Sequence, residues 1–161
     1  SIETDKCRLT ALRADDLEHV VALYTDEDVR RFLGGTRDEA EVRSKFPMLL
    51  QSDAEAYHWA VRLKANDTFI GIVYLEPHHD GVDIEVSYQF LTAWWGQGYA
   101  TETVQAVIDY ALETLGLPRV IAETQMANIP SRRLLERLGM RLARTVERFG
   151  AKQAIYITDI T

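Results

Sequence analysis

The chain has 161 residues, 47% of them hydrophobic and 27% charged, so it has the length of one domain and enough apolar mass for a core. Its net charge of −7 argues against general nucleic-acid binding, which uses a basic surface, and no apolar run reaches the ~18 residues that cross a bilayer. An acidic surface attracts cations, which is compatible with an amine substrate, although solubility alone is the simpler explanation.

The first predicted element is a strand over residues 6–13. It contains Cys7, the only cysteine, which excludes an intrachain disulfide and argues against a thiolate metal cage. We expect Cys7 to be a buried, inert thiol and the protein to be cytoplasmic. Residues 1–6 are neither basic nor apolar, so we predict no signal peptide.

Two helices are predicted next. The first follows Asp15 or Asp16, either of which can cap it, and its apolar face carries Leu17, Val20, Val21 and Tyr24. The second follows Thr36-Arg37-Asp38-Glu39, which matches a capping box with Thr36 at the cap. Its apolar face carries Val42, Phe46 and Leu49 or Leu50.

Three strands follow, over residues 59–63, 69–75 and 82–91, with turn signals at Asn66-Asp67 and Asp80-Gly81. In the third strand, apolar residues alternate with Asp83, Glu85, Ser87 and Gln89. A central strand beside a crossover helix is usually apolar on both faces, so the polar face predicts a solvated cleft over the sheet. The alternative is a strand that is simply half exposed.

The rest of the chain predicts an amphipathic helix over 100–114, a strand over 119–124, a helix over 130–138, and strands over 140–148 and 153–158. Strand 82–91, helix 100–114 and strand 119–124 form a βαβ crossover, so the two strands should be parallel. The predicted fold class is α/β (α+β). We expect a mixed, mostly antiparallel sheet of about seven strands with about four flanking helices, in one domain over residues 1–161.

The segment Gly96-Gln97-Gly98-Tyr99-Ala100-Thr101 joins the polar-faced strand to the amphipathic helix. Glycines at a helix start expose N–H groups at the positive end of the helix dipole, which is a site for phosphate. Thr101 stands where a Rossmann fingerprint needs its third glycine, and a Walker A loop needs Gly-Lys-Ser/Thr, which is absent. We therefore predict a phosphate-bearing ligand of another kind.

Residues 85–102, with Trp95-Gly96-Gln97-Gly98-Tyr99-Ala100, resemble motif A (Arg/Gln-x-x-Gly-x-Gly/Ala) of the GNAT superfamily of acetyl-CoA-dependent N-acetyltransferases. Residues 128–140 resemble its motif B, Asn-x-x-Ser-x-x-x-x-Glu-Lys-x-Gly-Phe. Residues 8–13 resemble the first strand of the Rim-type branch, which includes enzymes acetylating the N-termini of ribosomal proteins. The resemblance covers nearly the whole chain. It departs from the pattern at Trp95, where Arg or Gln is usual, and at Met140, where Phe is usual.

The resemblance implies acetyl-CoA as co-substrate. Main-chain amides of the glycine loop would hold the CoA pyrophosphate, at Gln97, Gly98, Tyr99, Ala100 and Thr101. The pantetheine arm would lie between splayed parallel strands and bond to unpaired backbone groups near Phe90 and Leu91, one of which would polarise the thioester carbonyl. Asn128 would contact substrate or CoA, or serve only as a turn or cap residue. Arg133 would meet a CoA phosphate, or be a solvated helix arginine.

Direct attack by an amine needs a proton acceptor, and the leaving thiolate benefits from a donor. Glu85 is the predicted base, acting through water; alternatively it binds the substrate cation or a neighbouring backbone group. Ser131 is predicted to contact the sulfur; alternatively it caps a helix. Tyr156 is the late tyrosine, but its alternation with Ile155 and Ile157 does not settle which way it faces, so it receives no role.

His78-His79-Asp80 resembles part of a metal-ligand set. Adjacent histidines in a hairpin should point apart, and the sequence contains no matching ligand cluster, so we predict turn residues and no metal.

The sequence therefore predicts an acetyl-CoA-dependent N-acetyltransferase, an acyltransferase acting on a protein N-terminus or a small-molecule amine, with no nucleic-acid or membrane partner. Two alternatives stay open. A non-catalytic acyl-CoA-binding sensor or regulatory domain would keep the phosphate loop and need no base. A structural module would use the glycine loop only as a turn. The resemblance is also compatible with a homodimer.

Overall fold

The computed structural model describes residues 1–51 and 57–158. The strands are β1 (Ile2–Glu3), β2 (Cys7–Ala11), β3 (Tyr57–Leu63), β4 (Phe69–Pro77), β5 (Ile84–Phe90), β6 (Ile121–Gln125), β7 (Arg141–Arg148) and β8 (Ala151–Ile157). The helices are α1 (Leu17–Thr25), α2 (Glu27–Arg30), α3 (Glu39–Leu49), α4 (Tyr99–Asp109), which continues into a π-helical turn (Tyr110–Thr114), and α5 (Ile129–Arg137).

The strands form a single sheet in the order β1-β2-β3-β4-β5-β6-β8-β7. Neighbouring strands are antiparallel except β5 and β6, which are parallel and paired where Glu85 faces Ile121. This pair is joined by α4, so the predicted βαβ unit is confirmed. The predicted mixed, mostly antiparallel sheet is confirmed as well. The prediction of one domain over residues 1–161 includes 52–56 and 159–161, which lie outside the described residues.

Two short elements exceed the predicted seven strands and four helices. β1 has only two residues and pairs with β2 through Ile2 opposite Leu9, so it is too short to show alternation. α2 is a single turn whose cap, Asp26, accepts hydrogen bonds from the N–H groups of Asp28 and Val29. One turn cannot display a helical period, which is why the sequence pattern did not reveal it.

The structure corrects one predicted helix cap and qualifies the other. The cap of α3 is Asp38, which accepts from the N–H of Glu41 at 3.2 Å, and not Thr36. The N–H of Arg37 instead bonds to the carbonyl of Tyr24 at 2.8 Å, so the chain is still tied to α1 there and the helix begins later. Asp16 is the N-cap residue of α1, as predicted, but its side chain makes no bond to the helix amides and instead accepts from the N–H of Arg13 at 2.8 Å.

Helices cover both faces of the sheet. α4 and α5 pack on one face with a core that includes Val86, Val104 and Leu135, and α1 to α3 pack on the other around Val20, Phe46 and Ile72. Cys7 is fully buried in the first core, as predicted, and burial raises the pKa of its thiol to about 11. Among the described residues, no helix is both long enough and apolar enough to cross a membrane.

The carboxylate of Asp16 forms a buried ion pair with Arg62, at 2.6 Å, in which the two side chains are only 2% and 4% exposed. Replacing one partner leaves a buried charge without its counter-ion. Asp16→Asn should therefore lower the free energy of unfolding by about 3–5 kcal/mol in urea denaturation. Glu3→Gln, which breaks the exposed Arg8–Glu3 pair, should change the free energy of unfolding far less, because solvent screens that pair. Equal effects of the two variants would contradict this assignment.

Candidate active site

A cleft of about 1190 Å³ opens between β5 and β6. The two strands are paired at Glu85 and Ile121, and the described residues beyond that register, 86–90 and 122–124, line the cleft instead of continuing the ladder. The glycine loop, the start of α5 and the segment after α2 complete its walls. The two parallel strands therefore separate beyond Glu85 and Ile121, and the cavity forms in the gap between them.

The glycine loop presents main-chain amides to this cleft. Gly96 and Gly98 have φ values of 72° and 86°, a left-handed conformation that side-chain-bearing residues rarely adopt. Gly98 is the N-cap of α4 and has no side chain to occupy the helix amides. The helical ladder begins with the N–H of Glu102 bonding to the carbonyl of Gly98 at 3.0 Å. The amides of Tyr99, Ala100 and Thr101 precede that bond and are positioned as anion donors.

Two arginines of α5 stand beside the loop. Arg133 lines the cleft, as does Arg137, whose guanidinium donates to the Thr101 hydroxyl at 3.5 Å. Arg137 was missed in the sequence, although it lies one helical turn after Arg133 and so on the same helix face. Trp95, which replaces the usual Arg or Gln, donates its indole N–H to the carbonyl of Phe90 at 2.7 Å. This residue therefore braces the loop.

The backbone groups predicted to bind pantetheine are mostly engaged. The N–H of Leu91 bonds to the carbonyl of Ile70 at 2.9 Å, and the carbonyl of Leu91 accepts from Trp94 at 3.0 Å. The carbonyl of Phe90 holds Trp95. The prediction of unpaired backbone groups is therefore wrong for the N–H and the carbonyl of Leu91 and for the carbonyl of Phe90. Because antiparallel pairing alternates, the residues that turn their main-chain N–H groups away from β4 are Tyr88 and Phe90.

The start of α5 brings two predicted residues to the cleft. Asn128 is the N-cap, accepting from the N–H of Ser131 at 3.3 Å, so the alternative in which Ser131 is the cap is wrong. The Ser131 hydroxyl lies 2.8 Å from the hydroxyl of Tyr88, and both residues line the cleft. Burial raises the pKa of Tyr88, which keeps the phenol protonated. Tyr88 was missed because in the sequence it is simply one of the apolar positions of an alternating strand.

Glu85 is half-buried on β5, and its Oε2 accepts the main-chain N–H of Glu123 at 3.2 Å. Burial raises its pKa to about 7; the carboxylates of Glu123 and Glu76 add to the rise, whereas His78 and the Glu123 N–H oppose it. Ser87 on β5 and Glu123 on β6, which lie next to Glu85, line the cleft. Glu85 is not among the described residues that line it, so its contact with a bound amine would require an intervening water.

The polar face of β5 is only partly solvated. Ser87 lines the cleft, as predicted, but Gln89 is 6% exposed. Its amide carbonyl accepts from Arg30 at 3.2 Å, and its NH₂ group donates to Tyr74 at 3.0 Å. The Arg30 guanidinium is held in turn by the carbonyls of Gly35 and Leu33. The predicted solvated face is therefore wrong at Gln89, because Arg30 of α2 and Tyr74 of β4 engage its buried side chain.

The two adjacent histidines do not point apart as predicted. Their rings lie 4.2 Å apart, and both approach Oε1 of Glu123, His78 at 2.7 Å and His79 at 3.5 Å. The ligand atoms of the three residues fall within 4.8 Å of one another. The 2.7 Å contact is shorter than the roughly 3.3 Å between two ligands of a tetrahedral ion that zinc bond lengths imply. The geometry is that of a hydrogen-bonded ion pair.

Tyr156 lies away from the cleft. It is fully buried, donates to Glu136 at 2.7 Å and accepts from Arg132 at 3.2 Å. These contacts tie β8 to α5, so its role in this structure is packing.

Comparison with known proteins gives one consistent family. Residues 6–141 match the family model described as an acetyltransferase (GNAT) domain. The uncharacterized N-acetyltransferase YnaD of Bacillus subtilis (strain 168) is 30% identical over 120 residues, which cover 74% of this chain and 61% of that protein. The chain thus spans less than two thirds of this relative.

Solved structures agree on the fold. The GNAT-family acetyltransferase from Bacillus anthracis has a TM-score of 0.84 at 23% identity, covering 97% of this chain and 96% of that one. Spermidine N-acetyltransferase from Vibrio cholerae, in complex with CoA and spermine, has a TM-score of 0.78 at 20% identity, covering 94% and 92%. The family model covers most of the chain, and a helix capped by glycine opens into the cleft between β5 and β6. We conclude that the chain belongs to the GNAT acetyltransferase domain family.

Proposed function

We propose that the protein is an acetyl-CoA-dependent N-acetyltransferase that transfers the acetyl group directly to a primary amine. The observation that carries the proposal is the N-terminus of α4, which is capped by Gly98 and opens into the cleft between β5 and β6. This terminus offers main-chain donors and a positive dipole end where a pyrophosphate can bind. The non-catalytic sensor alternative shares this feature, and no specific observation favours it.

The cofactor would bind along the cleft. The amides of Gly98 to Thr101 would hold the pyrophosphate, and the guanidinium groups of Arg133 and Arg137 would add positive charge beside it. Gln97 would contribute its main-chain N–H, while its side chain bonds back to Ala93 at 2.9 Å. The pantetheine arm would lie against β5 and take hydrogen bonds from the N–H groups of Tyr88 and Phe90, in place of Leu91.

Glu85 is the proposed proton acceptor. As the amine attacks the thioester carbon, its proton would pass through one water to the Glu85 carboxylate. The position of Glu85 behind the cleft wall and its pKa of about 7 support this role, because a base works best when its pKa lies near the working pH. The bond from the Glu123 N–H engages Oε2 and leaves Oε1 to accept the proton.

Ser131 and Tyr88 are the proposed contacts of the leaving sulfur. When the carbon–sulfur bond breaks, the thiolate would take a hydrogen bond from the Ser131 hydroxyl, which is held by the phenol of Tyr88 at 2.8 Å. Tyr88→Phe should therefore lower kcat about 10-fold with little change in KM for acetyl-CoA. Tyr110→Phe is the matched control, because it also removes a phenol hydroxyl and Tyr110 packs against Trp59 and is not among the described residues that line the cleft. A Tyr88→Phe enzyme with unchanged kcat would remove Tyr88 from the mechanism.

The acceptor comes from one of two amine classes, and the Rim-type resemblance favours protein N-termini. The test is release of free CoA thiol from acetyl-CoA in the presence of an amine panel: short peptides with free N-termini, polyamines and amino acids. Amine-dependent release, with N-acetylated product seen by mass spectrometry, supports the proposal. Binding of acetyl-CoA without release for any amine would favour the sensor.

A further inference from the structure

A buried ion pair beside Glu85 takes no part in the mechanism above. The side chain of His78 is 0% exposed and that of Glu123 is 6% exposed, and Nε2 of the imidazole lies 2.7 Å from Oε1 of the carboxylate. On its other side, Nδ1 of His78 lies 3.2 Å from Oδ1 of Asp80 and 3.2 Å from the main-chain N–H of the same residue. Arg148 lies 3.0 Å from the second oxygen of Glu123. A group so enclosed is held in one geometry.

The pair is connected to Glu85 through the backbone. Glu123, whose side chain pairs with His78, also donates its main-chain N–H to Oε2 of Glu85 at 3.2 Å. On the opposite side, Glu76 is the direct cross-strand partner of Glu85 in the β4–β5 ladder. Glu85 therefore sits between two acidic residues, Glu76 and Glu123, and within the field of His78.

We propose that His78 and Glu123 are positioning residues for Glu85: Glu123 fixes the carboxylate through its main-chain N–H, and the His78 imidazolium offsets the acidic neighbours so that Glu85 can carry its negative charge beside them. The functional meaning of this arrangement rests on the proposed role of Glu85 as proton acceptor. His78 is not among the described residues that line the cleft, and the carboxylate of Glu123, which does line it, is engaged by His78 and Arg148, so both residues act through Glu85.

The groups around Glu85 shift its pKa in opposite directions. Burial raises the pKa of Glu85 and Glu76 adds to the rise, whereas the charge of His78 lowers it. Burial opposes the charge on His78, but its hydrogen bonds to Glu123 and Asp80 outweigh this and raise its pKa. The titratable and charged groups that face this cluster in the described residues are Glu76 on β4 with its partner His58 on β3, His78, His79 and Asp80 in the turn, Asp83 with its partner Arg119, Glu123 on β6, and Arg144 and Arg148 on β7.

The test follows Glu85 and His78 directly by NMR in the whole free protein. The ¹³C shift of the Glu85 carboxyl, assigned with Glu85→Gln, gives its midpoint, and the ¹⁵N shifts of the imidazoles give the state of His78. In the wild type, His78 must still be protonated at the pH where Glu85 titrates. A neutral His78 at that pH overturns the proposal, and this measurement needs no variant.

The variants are a matched pair of neighbours. His78→Gln keeps a hydrogen-bond donor but removes the cation, so the Glu85 midpoint should rise by on the order of 1 pH unit. His79→Gln, at an imidazole that is 47% exposed, should move the midpoint by under about 0.3 unit. Equal shifts in the two variants, or none in a folded His78→Gln, overturn the proposal. Because these titrations require no acetyl-CoA, absence of acetyl transfer would count against the proposed function alone.

Discussion

Gly98→Asp should weaken acetyl-CoA binding by about 100-fold in calorimetric titration. An aspartate at the N-cap of α4 would place a carboxylate where the pyrophosphate binds, and it would itself accept from the helix amides. It would also repel the phosphates directly. The space beside Gly98 is open, with nothing within 4 Å of an added Cβ, so the side chain meets no steric clash and the cost to the fold is the backbone strain at φ 86°.

Gly98→Asn is the matched control for this variant. Asparagine has the same shape, and like aspartate it tolerates the left-handed conformation better than most residues, so backbone strain at φ 86° is shared by the two. It carries no charge, and binding should fall only about 10-fold. If both variants bound acetyl-CoA as the wild type does, the glycine loop would not be the pyrophosphate site.

Glu85→Gln should lower kcat/KM for the amine about 100- to 1000-fold and leave the affinity for acetyl-CoA unchanged. The amide keeps a carbonyl that can accept from the Glu123 N–H, so the local structure should persist. It cannot take a proton, which is why the loss should fall on kcat. Asp83→Asn is the control, because Asp83 lies on the same face of the β5 segment but pairs with Arg119 and should change the rate less than about 3-fold.

The pH dependence of kcat/KM in the wild-type enzyme should also reflect the ionisation of Glu85. A carboxylate base is active when ionised, so kcat/KM should rise with pH through about 7, the pKa to which burial raises Glu85. A second rise would follow the deprotonation of the amine, which for an α-amino group lies near pH 8. Glu85→Gln should remove the lower limb and retain the upper one. A lower limb that survives in Glu85→Gln would assign it to another group.

Local sequence patterns predicted the parts of the fold that depend on local periodicity. The βαβ unit was predicted from the alternation of β5, the apolar stripe of α4 and the glycines between them. The strand and the helix are each longer than one period of their structure, so their patterns are visible in the sequence. β1 and α2 were missed because they are shorter than that. Thr36 was mistaken for a cap because the bond from Arg37 to Tyr24, a contact between distant residues, decides where α3 begins.

The candidate site was predictable only where chain-neighbouring residues form it. The amides of the glycine loop follow from one segment, and Asn128 and Ser131 from another. The pairing of Tyr88 with Ser131 and the approach of His78 to Glu123 join residues 43 and 45 positions apart. Such contacts depend on strand register, and a sequence pattern does not contain it. The same reason explains Leu91, whose N–H is engaged by β4.

The central claim is that the cleft between β5 and β6 binds acetyl-CoA through the glycine-capped start of α4. Calorimetric titration of the wild-type protein with acetyl-CoA, CoA and ATP tests it most directly. We expect stoichiometric binding of acetyl-CoA and CoA, with no comparable binding of ATP, which has phosphates but no pantetheine arm for β5. If neither CoA species bound, the glycine loop would be only a turn, and both the acetyltransferase and the sensor interpretations would be contradicted.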